Sequence, residues 1–178
     1  RILNNRQSIG DYAVYATAEI KIDKRLLIRP GIRASYNTEY LSPIIPSLNL
    51  KYTKGDYTVR ASYASGFRAP SLKELYFEFV DINHNIFGNP KLEAEKSRNF
   101  SVSCLWSNRY DNVLVTLNQN LFYNHIFNLI SLGIVPGTLE YSYINIGLFK
   151  STGMRGDISF NTSKINALLG WSYIGRYN

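Results

Sequence analysis

The chain of 178 residues carries 20 Lys and Arg against 13 Asp and Glu, a net charge of +7, but its cations are scattered in sequence and lack the concentrated footprint of a nucleic-acid reader. A single cysteine, Cys104, excludes an intramolecular disulfide framework, and no apolar run approaches the length of a spanning helix. Aromatic residues make up 14% of the chain, with 14 Tyr, a bias that suits strands and membrane-interface belts, and a membrane barrel stays open because its strands signal only weakly.

Residues 12–22 set Tyr12, Val14, Ala16, Ala18, Ile20 and Ile22 against Tyr15, Thr17, Glu19 and Lys21, which predicts a half-buried strand. Asp23-Lys24 reads as a tight polar turn. Residues 25–36 repeat the scheme, with Leu26, Ile28, Ile32, Ala34 and Tyr36 opposed to Arg25, Arg29, Arg33 and Ser35. Pro30 falls on the apolar face, where its missing amide hydrogen points to an edge or a bulge. The arginine stripe has two readings, a solvated sheet face or a basic wall that attracts an anionic ligand. A loop follows over 37–46, then a strand through Leu48, Leu50 and Tyr52, a hairpin turn at Lys54-Gly55-Asp56, and a strand through Val59, Ala61 and Tyr63.

Residues 66–97 interrupt this rhythm. Pro70 stops the preceding strand, Asn89-Pro90 is a turn dipeptide, and alternation resumes at about Phe100. Between them Ser71-Leu72-Lys73-Glu74 spells a capping box, and Leu72, Leu75 and Phe79 have helical spacing, so a short helix is predicted inside a long loop. Strands follow through Phe100, Val102, Cys104 and Trp106, and through Val113, Val115, Leu117 and Leu121. A second long loop spans 130–140, a tall strand bent near Gly153 spans 141–160, a short turn follows, and Ile165 to Tyr177 forms the last strand. Short turns near 23, 55, 110 and 162 alternate with long loops near 40, 66–97 and 135, the asymmetry of a transmembrane barrel. The expected fold is all-β: an antiparallel transmembrane β-barrel portion of about eight strands, with a short helix in an extracellular loop. Residues 1–178 are expected to be part of one β-barrel domain, a piece of a larger barrel, and Asn, Ser, Thr and Arg on one face suit a wet lumen better than a dry core.

Two motifs carry a family resemblance. Phe67-Arg68-Ala69-Pro70 and Asn89-Pro90-Lys91-Leu92, the second followed by Glu93, Glu95 and Ser97, resemble the paired boxes in the barrel of TonB-dependent outer-membrane receptors. The resemblance covers the barrel pattern along most of the chain. It implies a 22-stranded barrel closed by an N-terminal plug, the plug lying outside this sequence, in the outer membrane of a Gram-negative bacterium. It further implies energy-coupled import of a scarce nutrient, with outer-membrane lipid, a TonB energy-coupling protein reached through the plug, the small-molecule nutrient and a surface lipoprotein as partners, and no nucleic acid. A soluble β-sandwich binding module and a non-transporting adhesive barrel are the other classes that the strand pattern admits.

Within the excursion, His84 lies in Asn83-His84-Asn85, between the boxes and at the expected apex of the loop. Haem receptors of the resembled type carry a histidine there, and a neutral imidazole is an apt axial ligand for haem iron, while a solvated loop histidine is the plainer reading. Phe77, Phe79 and Phe87 would stack on a porphyrin, a corrin or one another. The ligand-binding candidates are therefore His84, Phe77, Phe79, Asn83, Asn85 and Phe87, with haem or cobalamin as transported ligand, a ferric siderophore as the alternative, and no resident cofactor. His125 reads as structural. Glu74, Asp81, Glu93 and Glu95 read as caps or solvating charges, and no nucleophile, metal-ligand or phosphate-loop pattern points to an enzyme.

Overall fold

The computed structural model describes residues 7–82 and 85–178. The chain forms β1 (Asp11–Thr17), β2 (Ile20–Lys21), β3 (Leu26–Asn37), β4 (Ile45–Lys54), β5 (Tyr57–Arg68), α1 (Leu72–Tyr76), β6 (Glu78–Val80), β7 (Asn85–Phe87), β8 (Glu95–Tyr110), β9 (Val113–Ile134), β10 (Tyr141–Asn161) and β11 (Asn166–Tyr177). All join in one sheet of 11 strands, ordered β1-β3-β4-β5-β8-β9-β10-β7-β6, with β2 beside β3 and β11 beside β10. Every pairing is antiparallel except β7 with β10. Among the described residues this one sheet has no second sheet to pack on, so they form no two-sided sandwich core.

Register sorts the side chains cleanly. Val59 lies opposite Tyr52 and Cys104, Val102 opposite Ala61 and Leu121, and Ile158 opposite Leu117 and Leu169, which makes one continuous apolar surface across six strands. The other surface carries Asn49, Ser62 and Ser101 in a cross-strand row, with Ser103 opposite Asn120 beside it. Exposure of Val102 at 46% and Leu121 at 51% has no place in water on this scale, and is what a lipid-facing surface requires. We call the apolar surface outward and the polar one inward.

Near the short turns, Tyr57 pairs with Trp106 at a ring separation of 6.5 Å, and Trp106 with Tyr110 at 6.3 Å. Further up, Tyr63, Phe100 and Tyr123 make a second aromatic row, with centroids 4.8 and 6.5 Å apart. Two such rows bracket an apolar band, as the interface belts of a membrane barrel do. At 22 and 21 residues, β9 and β10 are about twice the length needed to cross a bilayer and therefore rise above it.

Pro30 sits within β3 without a bulge, since Thr17 opposes Gly31 and Ile20 opposes Ile28 in the same register. Its carbonyl accepts from the Ala18 amide at 3.1 Å, but its ring nitrogen has no hydrogen to return, and there the predicted strand 12–22 divides into β1 and β2. The turn after β2 is held by Asp23, whose Oδ1 accepts from the Arg25 and Leu26 amides at 2.7 Å each, and those bonds hold its carboxyl below the usual range.

Three expectations are corrected. β8 begins at Glu95 and not near Phe100, and β9 runs on to Ile134, so both long loops are shorter than predicted. By contrast, β10 passes Gly153 as the one tall strand expected over 141–160. Here glycine serves space: Phe122 lies directly opposite, and a Cβ on Gly153 would meet its ring at 2.7 Å. The excursion also contains a hairpin, β6–β7, where only a helix was expected.

Candidate functional site

The only buried apolar cluster among the described residues lies at the rim, beneath the excursion. Leu75 of α1, Leu92 of the second box and Ile130 of β9 form it, flanked by Ile9, Tyr40 and Tyr143. Pro70 is fully buried beside the strand end, and it terminates β5 because it has no amide to donate.

Arg68, the last residue of β5, is directly opposite Glu95, the first of β8. Its Nε and Nη2 donate to the two Glu95 oxygens at 2.7 and 2.8 Å, a bidentate fork, while Nη1 donates to Glu74 at 2.9 and 3.0 Å. Glu74 is the N3 residue of the predicted capping box and accepts from the Ser71 amide at 2.7 Å and hydroxyl at 2.8 Å. Glu95 also accepts from the Ile130 amide at 2.6 Å. One guanidinium thus joins the ends of β5 and β8 to α1, and through Glu95 to β9. Burial by itself would raise the Glu74 carboxyl, but the Arg68 and Ser71 hydrogen bonds outweigh it and hold it below the ordinary carboxylate range.

The second box is clamped separately. The Asn89 amide donates to the Glu74 carbonyl at 2.9 Å, its Oδ1 accepts from the Lys91 amide, and its Nδ2 reaches the Tyr143 carbonyl of β10 at 2.9 Å. Glu93 accepts from Asn128 Nδ2 at 2.6 Å, and Asn145 bonds the Glu93 backbone in both directions and the Asn128 carbonyl. Asn128 holds φ at 55°, a left-handed backbone that asparagine tolerates better than most residues. Both boxes therefore fasten the entry and exit of the excursion to the strand rim.

Between the clamps lie the helix and the hairpin. α1 is a single five-residue helix, ending at Tyr76, so Phe79 belongs to β6 and not to the helix. The rings of Phe77 and Phe79 stack with centroids 6.2 Å apart and planes at 13°, and Lys73 Nζ lies 5.0 Å from the Phe77 centroid. Phe79 opposes Ile86, whereas Phe87 opposes Glu78 and Asn85 opposes Val80, so alternation sets Phe87 and Asn85 on the hairpin face away from Phe79. β7 joins β10 through two residue pairs, Ile86 with Tyr141 and Phe87 with Ser142. Gly88 passes so close to α1 that a Cβ there would lie 2.6 Å from the Leu75 carbonyl and the Tyr76 amide. Asn83 and His84 lie outside the described residues. Phe67 is on the outward face, opposite Lys96.

Elsewhere, Arg29 and Arg33 of the predicted stripe point inward, Arg29 paired with Glu19 at 2.5 Å. Arg29 adjoins Lys51 and Arg60, cross-strand partners above a hollow lined also by Asn49 and Ser62, whereas Arg33 lies opposite Ile45 in a separate hollow. His125 is on the outward face of β9, its ring stacked on Phe127 at 4.0 Å. No group of three or more His, Cys, Asp or Glu able to hold a metal occurs among the described residues. Asn128, Ile130, Tyr143 and Asn145 are the site residues that the sequence reading missed. They lie 35 to 54 positions from the groups they hold, beyond any local motif.

The family model for the TonB dependent receptor-like β-barrel matches residues 2–178. A hemoglobin and hemoglobin-haptoglobin-binding protein of Haemophilus ducreyi is 44% identical over 45 residues, 25% of this chain and 5% of that protein. Among solved structures, the siderophore receptor PirA of Pseudomonas aeruginosa superposes with a TM-score of 0.77 at 22% identity, over 94% of this chain and 32% of its own. The Serratia marcescens hemophore receptor HasR, in complex with its hemophore and heme, gives 0.80 at 13% identity, over 93% and 34%. This chain thus spans about a third of those structures.

Proposed function

The chain belongs to the TonB-dependent receptor-like β-barrel family, and from that premise we propose that it is the loop-bearing part of an outer-membrane receptor that binds a scarce nutrient and imports it with energy from a TonB-type partner. The observation that carries the reading is the anchoring of the excursion at the rim. Arg68, Asn89 and Glu93 fix both of its ends to the strands by hydrogen bonds, and its hairpin borders β10 at two residue pairs. A long loop with both ends fixed on a strand scaffold is the arrangement that closes over a ligand. The stacked Phe77 and Phe79 rings offer a flat apolar surface, and His84 follows within the same loop.

A tetrapyrrole, haem or cobalamin, is the nutrient we favour. The Haemophilus ducreyi relative named for hemoglobin supports it over a quarter of the chain, and aromatic faces suit a porphyrin or corrin. The nutrient is cargo, and His84 is assigned as axial ligand if it is haem. A ferric siderophore is the second reading, supported by the likeness to PirA. A surface protein that delivers the nutrient is a further partner of this reading, supported by the likeness to HasR, which is in complex with its hemophore.

Binding of haem, cobalamin and a ferric catecholate siderophore to the full-length receptor tests the assignment. Haem is expected to bind, with His84→Ala weakening it and shifting the Soret band and His125→Ala leaving both unchanged. Unaltered haem affinity in the His84 variant removes the ligand role, and tight binding of cobalamin or siderophore without haem reassigns the nutrient.

A further inference from the structure

The outward face of the long strands carries no Asp or Glu among the described residues, and three of its four Lys and Arg stand together. Lys54 is alone at the turn edge. Arg98, His125 and Lys150 form a direct cross-strand row on β8, β9 and β10, with Lys96 two residues above Arg98. Cα atoms along such a row are about 5 Å apart, and Lys96 adds about 7 Å along the strand, so three long cationic side chains can converge on one anionic group. None of the three makes an ion pair among the described residues.

Aromatic packing holds the row in place. The Arg98 guanidinium lies 5.6 Å from the Phe127 centroid, Phe127 stacks on His125, and Tyr123 meets His125 edge-on at 6.3 Å. His125 Nε2 is buried and has no hydrogen-bond partner among the described residues.

The height of the row identifies its surroundings. Arg98 is eight residues above Trp106 and twelve above Tyr110 on β8. That is about 26 and 40 Å of strand, or about 19 and 28 Å of height at a tilt of about 45°, so an apolar band about 25 Å tall ends at the row. Directly below lie Phe100, Tyr123 and Thr152, and then Val102, Leu121 and Met154. Cations without a counter-acid, placed where acyl chains give way to headgroups, match a phosphate carried on a lipid: oxygens above for charge-assisted bonds, hydrocarbon below for the apolar strands.

We propose that Lys96, Arg98 and Lys150, arranged about His125, bind the phosphate of a phosphorylated lipid in the leaflet on the loop side of the membrane. This rests on the outer-membrane reading above, which makes that leaflet the external one. The full-length receptor in nonionic detergent is titrated with a bis-phosphorylated acylated glycolipid, with the same glycolipid after phosphatase treatment, and with inorganic phosphate, and bound lipid is counted by native mass spectrometry. The wild type retains the phosphorylated glycolipid. An Arg98→Gln/Lys150→Gln double variant retains it at least tenfold less, Lys54→Gln matches the wild type, the dephosphorylated form binds weakly to all, and millimolar inorganic phosphate displaces nothing. Equal retention by wild type and double variant overturns the proposal, as does displacement by inorganic phosphate. Heat-modifiable migration in electrophoresis verifies that each barrel is folded. Nutrient binding by the same preparations is a separate readout, expected to be equal in wild type and double variant, and its absence counts against the receptor reading while leaving the lipid site standing.

Discussion

Replacing Arg68 by Ala removes four charge-assisted hydrogen bonds and leaves Glu74 and Glu95 facing each other at the rim, with side chains only 15% and 14% exposed. Breaking a buried pair by deleting one partner costs about 3 to 5 kcal/mol, because the other charge stays uncompensated. The Arg68 side chain is 45% exposed, so water screens part of that, and about 3 kcal/mol is a fair expectation for opening α1 from the rim. At about 1.4 kcal/mol per decade, the opening constant rises roughly a hundredfold. Hydrogen exchange on the full-length receptor reads this directly. The amides of Leu75, Phe77 and Asn89, which donate to Ser71, Lys73 and Glu74, should lose about two decades of protection, while amides in the middle of β9 keep theirs. Arg68→Lys keeps the charge but loses the fork and should fall between. Unchanged protection at Leu75 and Asn89 in the Ala variant would refute the clamp.

Leu117 lies outward between Trp106 and Ile158, and Asn118 inward, so Leu117→Arg should cost about 2 to 4 kcal/mol in a bilayer-refolding titration and Asn118→Arg far less; equal costs would reverse the faces. Gly88→Ala must push α1 away from the hairpin, because the atoms in its way are backbone, and protease cleavage within 72–88 should quicken while barrel migration in electrophoresis is unchanged. Glu74 has a folded-state pKa below its unfolded value, so its contribution is fully present above the unfolded carboxylate range and is lost as pH falls through the folded value. Protection of the Leu75 amide, corrected for intrinsic exchange, should accordingly be flat from pH 8 to about pH 5 and decline below about pH 4; a decline centred near neutrality would assign the clamp to another group.

Where a strand has lipid on one side and the lumen on the other, period-2 alternation is strong, and the stretches through Val59, Val102 and Leu117 were legible for that reason. Above the bilayer both faces meet water or loop, and the signal dies: Glu95-Lys96-Ser97-Arg98-Asn99 is polar on both sides, so the start of β8 could not be read from it. The same loss of contrast hid the top of β9. The capping box at Ser71 and Glu74 was legible because its chemistry is local, spanning three residues. The hairpin was not, because three-residue strands carry no periodicity and β7 owes its place to Tyr141 and Ser142, over 50 positions away. The tall strand through Gly153 was legible, but the reason for a glycine there was not, since Phe122 comes from the neighbouring strand. The two boxes were visible as motifs, but their task of clamping the loop rests on register: Arg68 meets Glu95 only because β5 and β8 pair as they do.

Whether the hairpin must move for the receptor to work is the most direct question for this account. Phe87 and Ser142 are parallel partners on β7 and β10, at a sheet spacing of about 5 Å that a disulfide can bridge. In the full-length receptor with Cys104→Ser, cysteines at these two positions would tether the hairpin when oxidised and free it when reduced. Uptake of labelled haem or ferric siderophore by whole cells should stop with the tether closed and return on reduction. Uptake at an undiminished rate, with the disulfide verified as closed by mass, would contradict the claim that the loop between the two boxes closes over the nutrient.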